Sequence, residues 1–522
     1  MNKISLIALL ITLLSAHLAD AQSSVGYTAA VPQPTIGLYR YADATQLWRL
    51  TDNAAALSLD SGYNRGVAFF NVEHREGDYR RVQEGGQRNQ LEFYTERYQQ
   101  ISPILFGYGS FRFDMDRTKD RAWCDVMRPY LSNPYYSGSS TPGKYDTQQF
   151  DLTAAVGTIQ FWGITTGLRL DYKVADLSRL RDPRSRSELL DYKLTPSLTY
   201  TSEPHTIGLS GHYNRRKEKI PSMTTVQTDP NLKYYLMSGM EQAVGTTGGY
   251  SGYSREWVDH RFGAALSYGF NNVSTKSLNT ISIERGSEDV LGQYKYEPGH
   301  YVSYQYGFTS NNRLQTANAL HQIDITLNYE QAYADEYRQQ LIQERDAEHG
   351  YTSYSYETLI EFKKRYQVRL FDASLHYRYS VVDDKAINTY VGLKATMNNA
   401  ETKHLLPESS LKHNHMDFTL EGGKSFFKER LWIDAEAGYH VSTKAELALA
   451  DATTDMATQV LLPDMQYYDA NYWRGHLALT YQFPLTIKGT SSQWFVRAYG
   501  DYLKTDNSLY RSSVGASIGV YY

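Results

Sequence analysis

The chain has 522 residues, of which 46 are tyrosine; aromatic residues make up 14% of it and hydrophobic residues only 41%. A soluble protein with so many aromatic side chains would carry more aliphatic residues, yet the mean hydropathy is −0.54. The net charge of −4 and the isoelectric point near 6.4 provide no basic surface, so nucleic acid is excluded as a partner. No apolar run of the mature chain approaches the ~20 residues of a membrane helix, which excludes a helical membrane protein.

Residues 1–21 have the pattern of a secretory signal peptide. Lys3 precedes an apolar stretch at 4–14, and Ala19-Asp20-Ala21 forms an A-x-A cleavage site. Cys124 is the single cysteine, so an intrachain disulfide is excluded. The sequence therefore predicts an exported protein without disulfides.

Residues 22–62 show little alternation of polar and apolar side chains. The segment is too short for the plug domain of a TonB-dependent transporter, and we expect either a periplasmic linker or a short peptide tucked into a barrel lumen. Asn53, Ala54 and Ala55 precede the first predicted strand. These three residues resemble the N-terminal motif of the long-chain fatty-acid transporter family, and the resemblance implies an outer-membrane transport barrel.

Residues 63–522 are the predicted barrel, and from residue 66 onward a period of two dominates. Leu168 and Leu170, for example, alternate with Arg169 and Asp171, which places the two sets on opposite faces of a strand. More than ten such segments predict an all-β fold, a transmembrane antiparallel β-barrel of about 18 strands with 14 to 18 open, because closure removes exposed sheet edges. The predicted strands are 66–76, 89–101, 103–116, 144–157, 159–174, 189–201, 205–216, 258–271, 276–287, 300–310, 318–331, 366–380, 386–398, 413–426, 430–443, 469–483, 491–504 and 510–522.

The connections alternate between short and long. Short ones include 101–103, 202–204 and 427–429, and the long ones are 117–143, 217–257, 332–365 and 444–468. This alternation is typical of short periplasmic turns and long extracellular loops.

The last strand, Arg511 to Tyr522, alternates cleanly and ends on an aromatic residue. It resembles the C-terminal signal strand of outer-membrane barrels, which implies the barrel-assembly machinery as a partner and outer-membrane lipid and lipopolysaccharide as surroundings. In signal peptide, tyrosine content and terminal strand, the chain also resembles the uncharacterised outer-membrane barrels that abound in gut-type Gram-negative anaerobes. The predicted location is the bacterial outer membrane.

The inward faces of the predicted strands carry charges of both signs. Such side chains either line an aqueous pore, where opposed charges select a polar or zwitterionic solute, or pair into a network that stiffens the barrel. The lumen-lining candidates are Arg112, Asp114, Arg169, Asp171, Lys173, Asp191, Lys193, Arg261, Asp372, Arg378, Asp434, Glu436, Arg474, Arg497 and Asp501.

Two long connections are candidates for binding a ligand or a partner outer-membrane protein or lipoprotein. The connection 217–257 is rich in Tyr, Met and Gly, an adaptable mixture, although it is equally consistent with a constriction or with packing at the rim. The connection 444–468 is unusually apolar, which is consistent with capping the barrel mouth or with lying against a partner. The candidate residues are Tyr234, Tyr235, Met237, Met240, Leu461 and Leu462.

The sequence contains only weak matches to catalytic or metal-binding motifs. The stretch 208–212 (Gly-Leu-Ser-Gly-His) departs from G-x-S-x-G and lies in a predicted strand rather than a strand-to-helix turn. His413 and His415 offer two nitrogens, fewer than a closed metal site needs. We therefore expect no enzyme, no cofactor and no metal.

Three functions remain open. The first is a channel or transport component for solutes, favoured by the strand count and the charged inward faces. The second is the barrel subunit of a multi-protein outer-membrane complex for nutrient capture, secretion or surface-protein export. The third, with least support, is a hydrolase at the rim of the barrel.

Overall fold

The computed structural model describes residues 35–60, 64–127, 133–226, 232–247, 253–346, 348–487 and 490–522. The predicted signal peptide, residues 1–21, lies outside the described residues. Strands account for most of the described chain. Among the helices of this part, none is both long and apolar enough to cross a membrane.

Eighteen strands close into one antiparallel barrel, which confirms the predicted all-β barrel. The strands in chain order are β1 (Arg65–Gly77), β2 (Gln87–Ser102), β3 (Leu105–Arg121), β4 (Ser137–Ser139), β5 (Gly143–Thr158), β6 (Ile164–Arg179), β7 (Arg184–Ser202), β8 (His205–Ile220), β9 (Met223–Thr224), β10 (Lys233–Gly239), β11 (Gln242–Thr247), β12 (Arg255–Asn271), β13 (Thr275–Gly292), β14 (Gly299–Gln315), β15 (Ala319–Asp346), β16 (Tyr351–Asp383), β17 (Ala386–Leu405), β18 (Glu408–Phe426), β19 (Leu431–Ala448), β20 (Tyr472–Ile487), β21 (Thr490–Thr505) and β22 (Tyr510–Tyr521). All but the short strands β4, β9, β10 and β11 belong to the barrel wall. Each wall strand pairs with the next, and β1 pairs with β22, with Phe69 opposite Gly519, so the wall has no free edge.

The two faces of the wall differ in chemistry. Leu168 and Leu198 point outward and are 44% and 42% exposed, and Leu266 on β12 and Leu479 on β20 also point outward and are exposed. Charged side chains occupy the alternate, inward positions. An outer apolar band around a polar lumen is the pattern of an outer-membrane barrel, and this is where the protein resides.

The two rims differ in the length of their connections. Turns as short as residues 203–204 and 103–104 join strands at one rim, and β1 begins and β22 ends there. Residues 122–142, 221–254 and 449–471 connect strands at the opposite rim. By the usual orientation of such barrels, the rim with short turns faces the periplasm.

One predicted loop is wrong, because the structure extends the strands through residues 332–365. β15 and β16 have 28 and 33 residues and pair as far as Asp346 opposite Tyr351. At about 3.4 Å per residue, β16 spans about 110 Å, far more than the about 30 Å of bilayer hydrocarbon. The ends therefore form a distal hairpin, residues 336–361, beyond the membrane. Water bathes both of its faces, so the period-two pattern that reveals a half-buried strand is missing there.

Candidate functional site in the barrel lumen

Residues 35–60 lie inside the barrel at the periplasmic rim, and we call this segment the inner plug. It begins with helix α1 (Ile36–Thr45), continues through two single 3-10 turns and ends with the short helix α2 (Leu57–Asp60). The Thr35 hydroxyl starts α1 by accepting a hydrogen bond from the Leu38 N–H at 3.3 Å. The plug thus has local structure of its own.

The apolar face of α1 is buried against the inner wall. Ile36 and Ala44 pack with Leu320, Ile387 and Trp432, which come from three different wall strands. This packing anchors one end of the plug, because each buried aliphatic side chain contributes about 1.5–3 kcal/mol.

Charged contacts fix the plug at both ends. The Arg40 guanidinium donates two hydrogen bonds to the Asp434 carboxylate on β19, each 2.8 Å long. Asp52, near the other end of the plug, accepts from Lys193 on β7 at 2.6 Å and lies 3.5 Å from Arg169 on β6. The plug therefore bridges opposite parts of the wall.

The turn Ala54–Ala56 is seated on glycines of the wall. A Cβ atom on Gly167 would lie 2.2 Å from the Ala55 nitrogen, and one on Gly157 would lie 2.3 Å from the Ala54 carbonyl oxygen. The Ala55 N–H donates to the Ser197 hydroxyl at 3.0 Å, and the Thr165 hydroxyl donates to the Ala55 carbonyl at 2.7 Å. Such a close approach of two backbones requires glycine on the wall.

The extracellular rim is covered by folded connections, which we call the outer cap. It comprises the described residues of 78–86, 122–142, 221–254 and 449–471. β4, β10 and β11 form a small sheet inside it. Its core contains Trp123, whose ring centroid is 4.3 Å from that of Tyr235, and Met237, Met456 and Val460 pack around this pair.

Most of the loop residues predicted to bind a partner are buried in this packing. Tyr234, Tyr235, Met237 and Met240 are buried in the outer cap, so they offer no surface to a partner outside. Burial of this kind is what the alternative of a connection packed at the rim predicts. Leu462, at the start of helix α3 (Leu462–Tyr468), is exposed, and Leu461 beside it is half-buried.

Asp464 on α3 is a buried carboxyl group in the outer cap. Its Oδ1 accepts a hydrogen bond from the Val82 N–H at 2.8 Å, which ties α3 to the connection between β1 and β2. Burial raises the pKa of Asp464 from 3.8 to about 7. The Val82 hydrogen bond and the nearby Arg81 oppose this rise in pKa, and Glu84 adds to it.

Between the inner plug and the outer cap lies a chamber lined by polar side chains. Arg112 and Asp501 are 47% and 50% exposed on its wall, so water reaches them. The structure places every sequence-predicted lumen residue on the inward face, namely Arg112, Asp114, Arg169, Asp171, Lys173, Asp191, Lys193, Arg261, Asp372, Arg378, Asp434, Glu436, Arg474, Arg497 and Asp501.

These residues do not converge on a single site. Three of them, Arg169, Lys193 and Asp434, hold the inner plug. Others pair locally on the wall, as Arg112 does with Glu92 at 3.2 Å. Further pairs on the wall are Arg169 with Asp171, Arg261 with Asp259 and Glu284, Arg378 with Glu421, Lys173 with Asp151, Asp114 with Gln90, Asp191 with Asn214, Asp372 with Asn398, Arg474 with Thr419, and Asp501 with His476.

Several residues of the lumen escaped sequence reasoning. Glu284 on β13 and Glu421 on β18 lie at inward positions of strands in which polar and apolar residues alternate. The period-two pattern could therefore have revealed them. Arg40 and Asp52 lie in a segment without alternation. Their partners become visible only when the wall is assembled.

The candidate hydrolase motif has no nucleophile geometry. Ser210 and His212 lie two residues apart within β8, and the His212 Nε2 pairs with Glu284 on β13 at 2.8 Å. A serine in the middle of a strand lacks the strand-to-helix turn of a nucleophile elbow.

Known proteins resemble this chain at two levels. Residues 54–522 match the model of DUF6850, described as a family of unknown function. No curated protein matches the chain significantly. The family match gives no support to the resemblance with long-chain fatty-acid transporters.

Solved structures with a similar outline are outer-membrane transporters. YddB from Escherichia coli has a TM-score of 0.42 and 8% identity, with 87% of this chain and 80% of that chain covered. The FrpB iron transporter from Neisseria meningitidis has a TM-score of 0.40 and 9% identity, with 90% and 83% covered. The copper transporter OprC has a TM-score of 0.39 and 9% identity, with 87% and 81% covered. Similarity at this level carries no information on a solute.

Proposed function

The chain belongs to the DUF6850 family, and we propose that it is a gated transport barrel of the outer membrane. In this proposal the inner plug closes the periplasmic rim and leaves its seat before a hydrophilic solute passes. The observation that carries the proposal is the charged attachment of the plug, from Arg40 on Asp434 to Asp52 on Lys193.

The chemistry of this attachment suits a reversible closure. The side chains of Arg40 and Asp52 are 29% and 43% exposed, so both already meet water in the seated state. Breaking a partly hydrated ion pair costs far less than exposing a dry charge, because water replaces the lost partner. If buried aromatic side chains held the plug along its whole length, its release would expose all of that apolar surface to water, at a much higher free-energy cost.

The test is the single-channel conductance of the purified, refolded barrel in a planar bilayer. We expect the full-length protein to be nearly silent and a variant lacking residues 35–60 to show steady openings of porin size. A synthetic peptide of residues 35–60, added on the side of the short turns, should close the deleted barrel, whereas a scrambled peptide should not. Equal conductance of the two barrels would overturn the proposal.

The distal hairpin favours a second function, that of a barrel subunit in a larger outer-membrane complex. Leu341, Leu359 and Ile360 are exposed on this hairpin, well outside the lipid. Exposed aliphatic residues on a projecting ribbon favour contact with another protein. Replacing residues 337–360 by a tight turn should lower the native molecular mass of the assembly extracted from outer membranes, and an unchanged mass would contradict this function.

A further inference from the structure

Three side chains of the kinds that bind transition metals meet on the chamber wall. His415 and Asp417 are two residues apart on β18 and share its inward face, and His440 lies directly opposite Asp417 on β19. The His440 Nδ1 is 2.9 Å from one oxygen of Asp417, and the His415 Nε2 is 3.9 Å from the other. One ligand atom from each residue falls within 4.8 Å of the other two.

Neighbouring structure holds these rings in place. The Tyr472 ring stacks on His440, with centroids 4.3 Å apart and planes 5° apart. The pairing of β18 with β19 shifts register between Asn414 and His415, and the Thr443 hydroxyl donates to the Asn414 carbonyl at 3.1 Å. A bulge of this kind re-aims the adjacent side chains and is frequent beside functional sites.

A fourth imidazole lies beside the cluster. His413 stacks on Tyr468 at 4.3 Å, and its plane is nearly parallel to that of His415, 6.3 Å away. Among the described residues, the buried Nδ1 of His413 has no hydrogen-bond partner. An unpartnered buried nitrogen is costly, and a water bound to a cation in the cluster would supply the missing hydrogen.

We propose that His415, Asp417 and His440 bind a divalent transition-metal cation of the Zn²⁺, Ni²⁺ or Cu²⁺ class inside the chamber. Two imidazoles and a carboxylate suit these ions, whereas Mg²⁺ and Ca²⁺ take mostly oxygen ligands. Coordination through the His440 Nδ1 requires the neutral imidazole tautomer that carries its proton on Nε2. Three protein ligands leave at least one position for water or for a donor atom of a solute.

This site does not depend on the proposed gating, because a closed barrel binds the ion as well as an open one. Accordingly, the test uses no transport measurement. The purified full-length barrel, freed of metal by a chelator, is titrated with Zn²⁺ by calorimetry and with Co²⁺ by visible absorption. Mg²⁺ serves as the comparison ion.

We expect one Zn²⁺ per barrel, a Co²⁺ absorption band from nitrogen and oxygen ligands, and no binding of Mg²⁺. His415→Gln and His440→Gln should each weaken Zn²⁺ binding by at least about tenfold. The matched control is His476→Gln, which removes an inward histidine of β20 that pairs with Asp501 at 2.8 Å. It should leave binding unchanged.

Heat-modifiable migration in electrophoresis shows that each variant folds. Absence of stoichiometric Zn²⁺ binding to the folded wild-type barrel would overturn the proposal. Binding that survives intact in His440→Gln, or that is lost equally in His476→Gln, would overturn it as well.

Discussion

Arg40 of the inner plug and Asp434 of the barrel wall form a bidentate ion pair, with both nitrogen–oxygen distances at 2.8 Å. The Arg40 guanidinium also lies 4.2 Å from the ring centroid of Trp432, so the same side chain joins an apolar and a charged contact. The pair connects α1 with β19 by two charged hydrogen bonds. It is therefore the natural place to test whether the inner plug can be released.

Arg40→Ala should loosen the inner plug. Removing hydrogen bonds to a charged partner costs about 1.5–3 kcal/mol, and the barrel wall retains its own pairing. We expect faster hydrogen–deuterium exchange in residues 36–45 and more frequent channel openings, with unchanged heat-modifiable migration.

The matched control for Arg40→Ala is Arg112→Ala. Arg112 is an inward arginine of β3 that pairs with Glu92 rather than with the plug. Its loss should leave exchange in residues 36–45 at the wild-type rate. If both variants behave alike, the Arg40 pair does not hold the plug.

Gly167→Val should unseat the other end of the plug. A Cβ atom at this position would lie 2.2 Å from the Ala55 nitrogen, so the turn Ala54–Ala56 must move away. Valine itself is well suited to a strand, and the wall should assemble normally. We expect greater protease sensitivity of the plug and greater conductance.

Gly211→Val is the control for this effect. Gly211 lies on β8, and the nearest atom to an added Cβ is 3.8 Å away. This variant should keep the conductance and protease pattern of the wild type. An unchanged pattern in Gly167→Val would mean that the plug is not seated on this glycine.

The wall was predictable from sequence because each of its strands is half buried. Leu168 beside Arg169 shows the reason: lipid on one side and a polar lumen on the other impose opposite chemistry on successive residues. All eighteen strands and the closed barrel follow from that alternation. It fails in the distal hairpin, where Leu359 and its neighbours meet water on both faces.

The candidate site was less predictable, since it depends on contacts far apart in sequence. The partners Arg40 and Asp434 are 394 residues apart in the sequence. Neither the plug nor the cap has a periodic pattern of polar and apolar residues. Met237 and Tyr235 illustrate the same difficulty. Their composition indicates an adaptable surface, but only the folded cap shows that they form its core.

The outer cap should loosen as pH rises, because of Asp464. Burial raises its pKa from 3.8 to about 7, so below pH 3.8 the carboxyl is neutral in both the docked and the undocked cap. Between these two pKa values the undocked form releases its proton first, and the docked cap loses stability as pH rises. The loss is complete above a pH of about 7.

Hydrogen–deuterium exchange of residues 449–471 between about pH 5 and about pH 9, corrected for the intrinsic rate, measures this effect. Asp464→Asn keeps an oxygen that accepts the Val82 N–H but cannot ionise, and its cap should show no such dependence. The charged side chains of Arg80, Arg81 and Glu84 lie near the Asp464 carboxyl, act on its pKa in the wild type, and are retained in Asp464→Asn. A pH dependence that persists in Asp464→Asn would assign the effect to another group.

An arginine on the lipid-facing side of the wall should impair assembly. Leu479 is midway along β20, points outward and is 43% exposed, so Leu479→Arg places a charge within the bilayer hydrocarbon. Such a charge lowers the free energy of unfolding by about 2–4 kcal/mol near the bilayer midplane. Leu359→Arg, on the distal hairpin, makes the same change at a leucine outside the membrane and should be neutral. Urea titrations of the three barrels in lipid vesicles decide between these outcomes, and equal midpoints would mean that Leu479 does not face lipid.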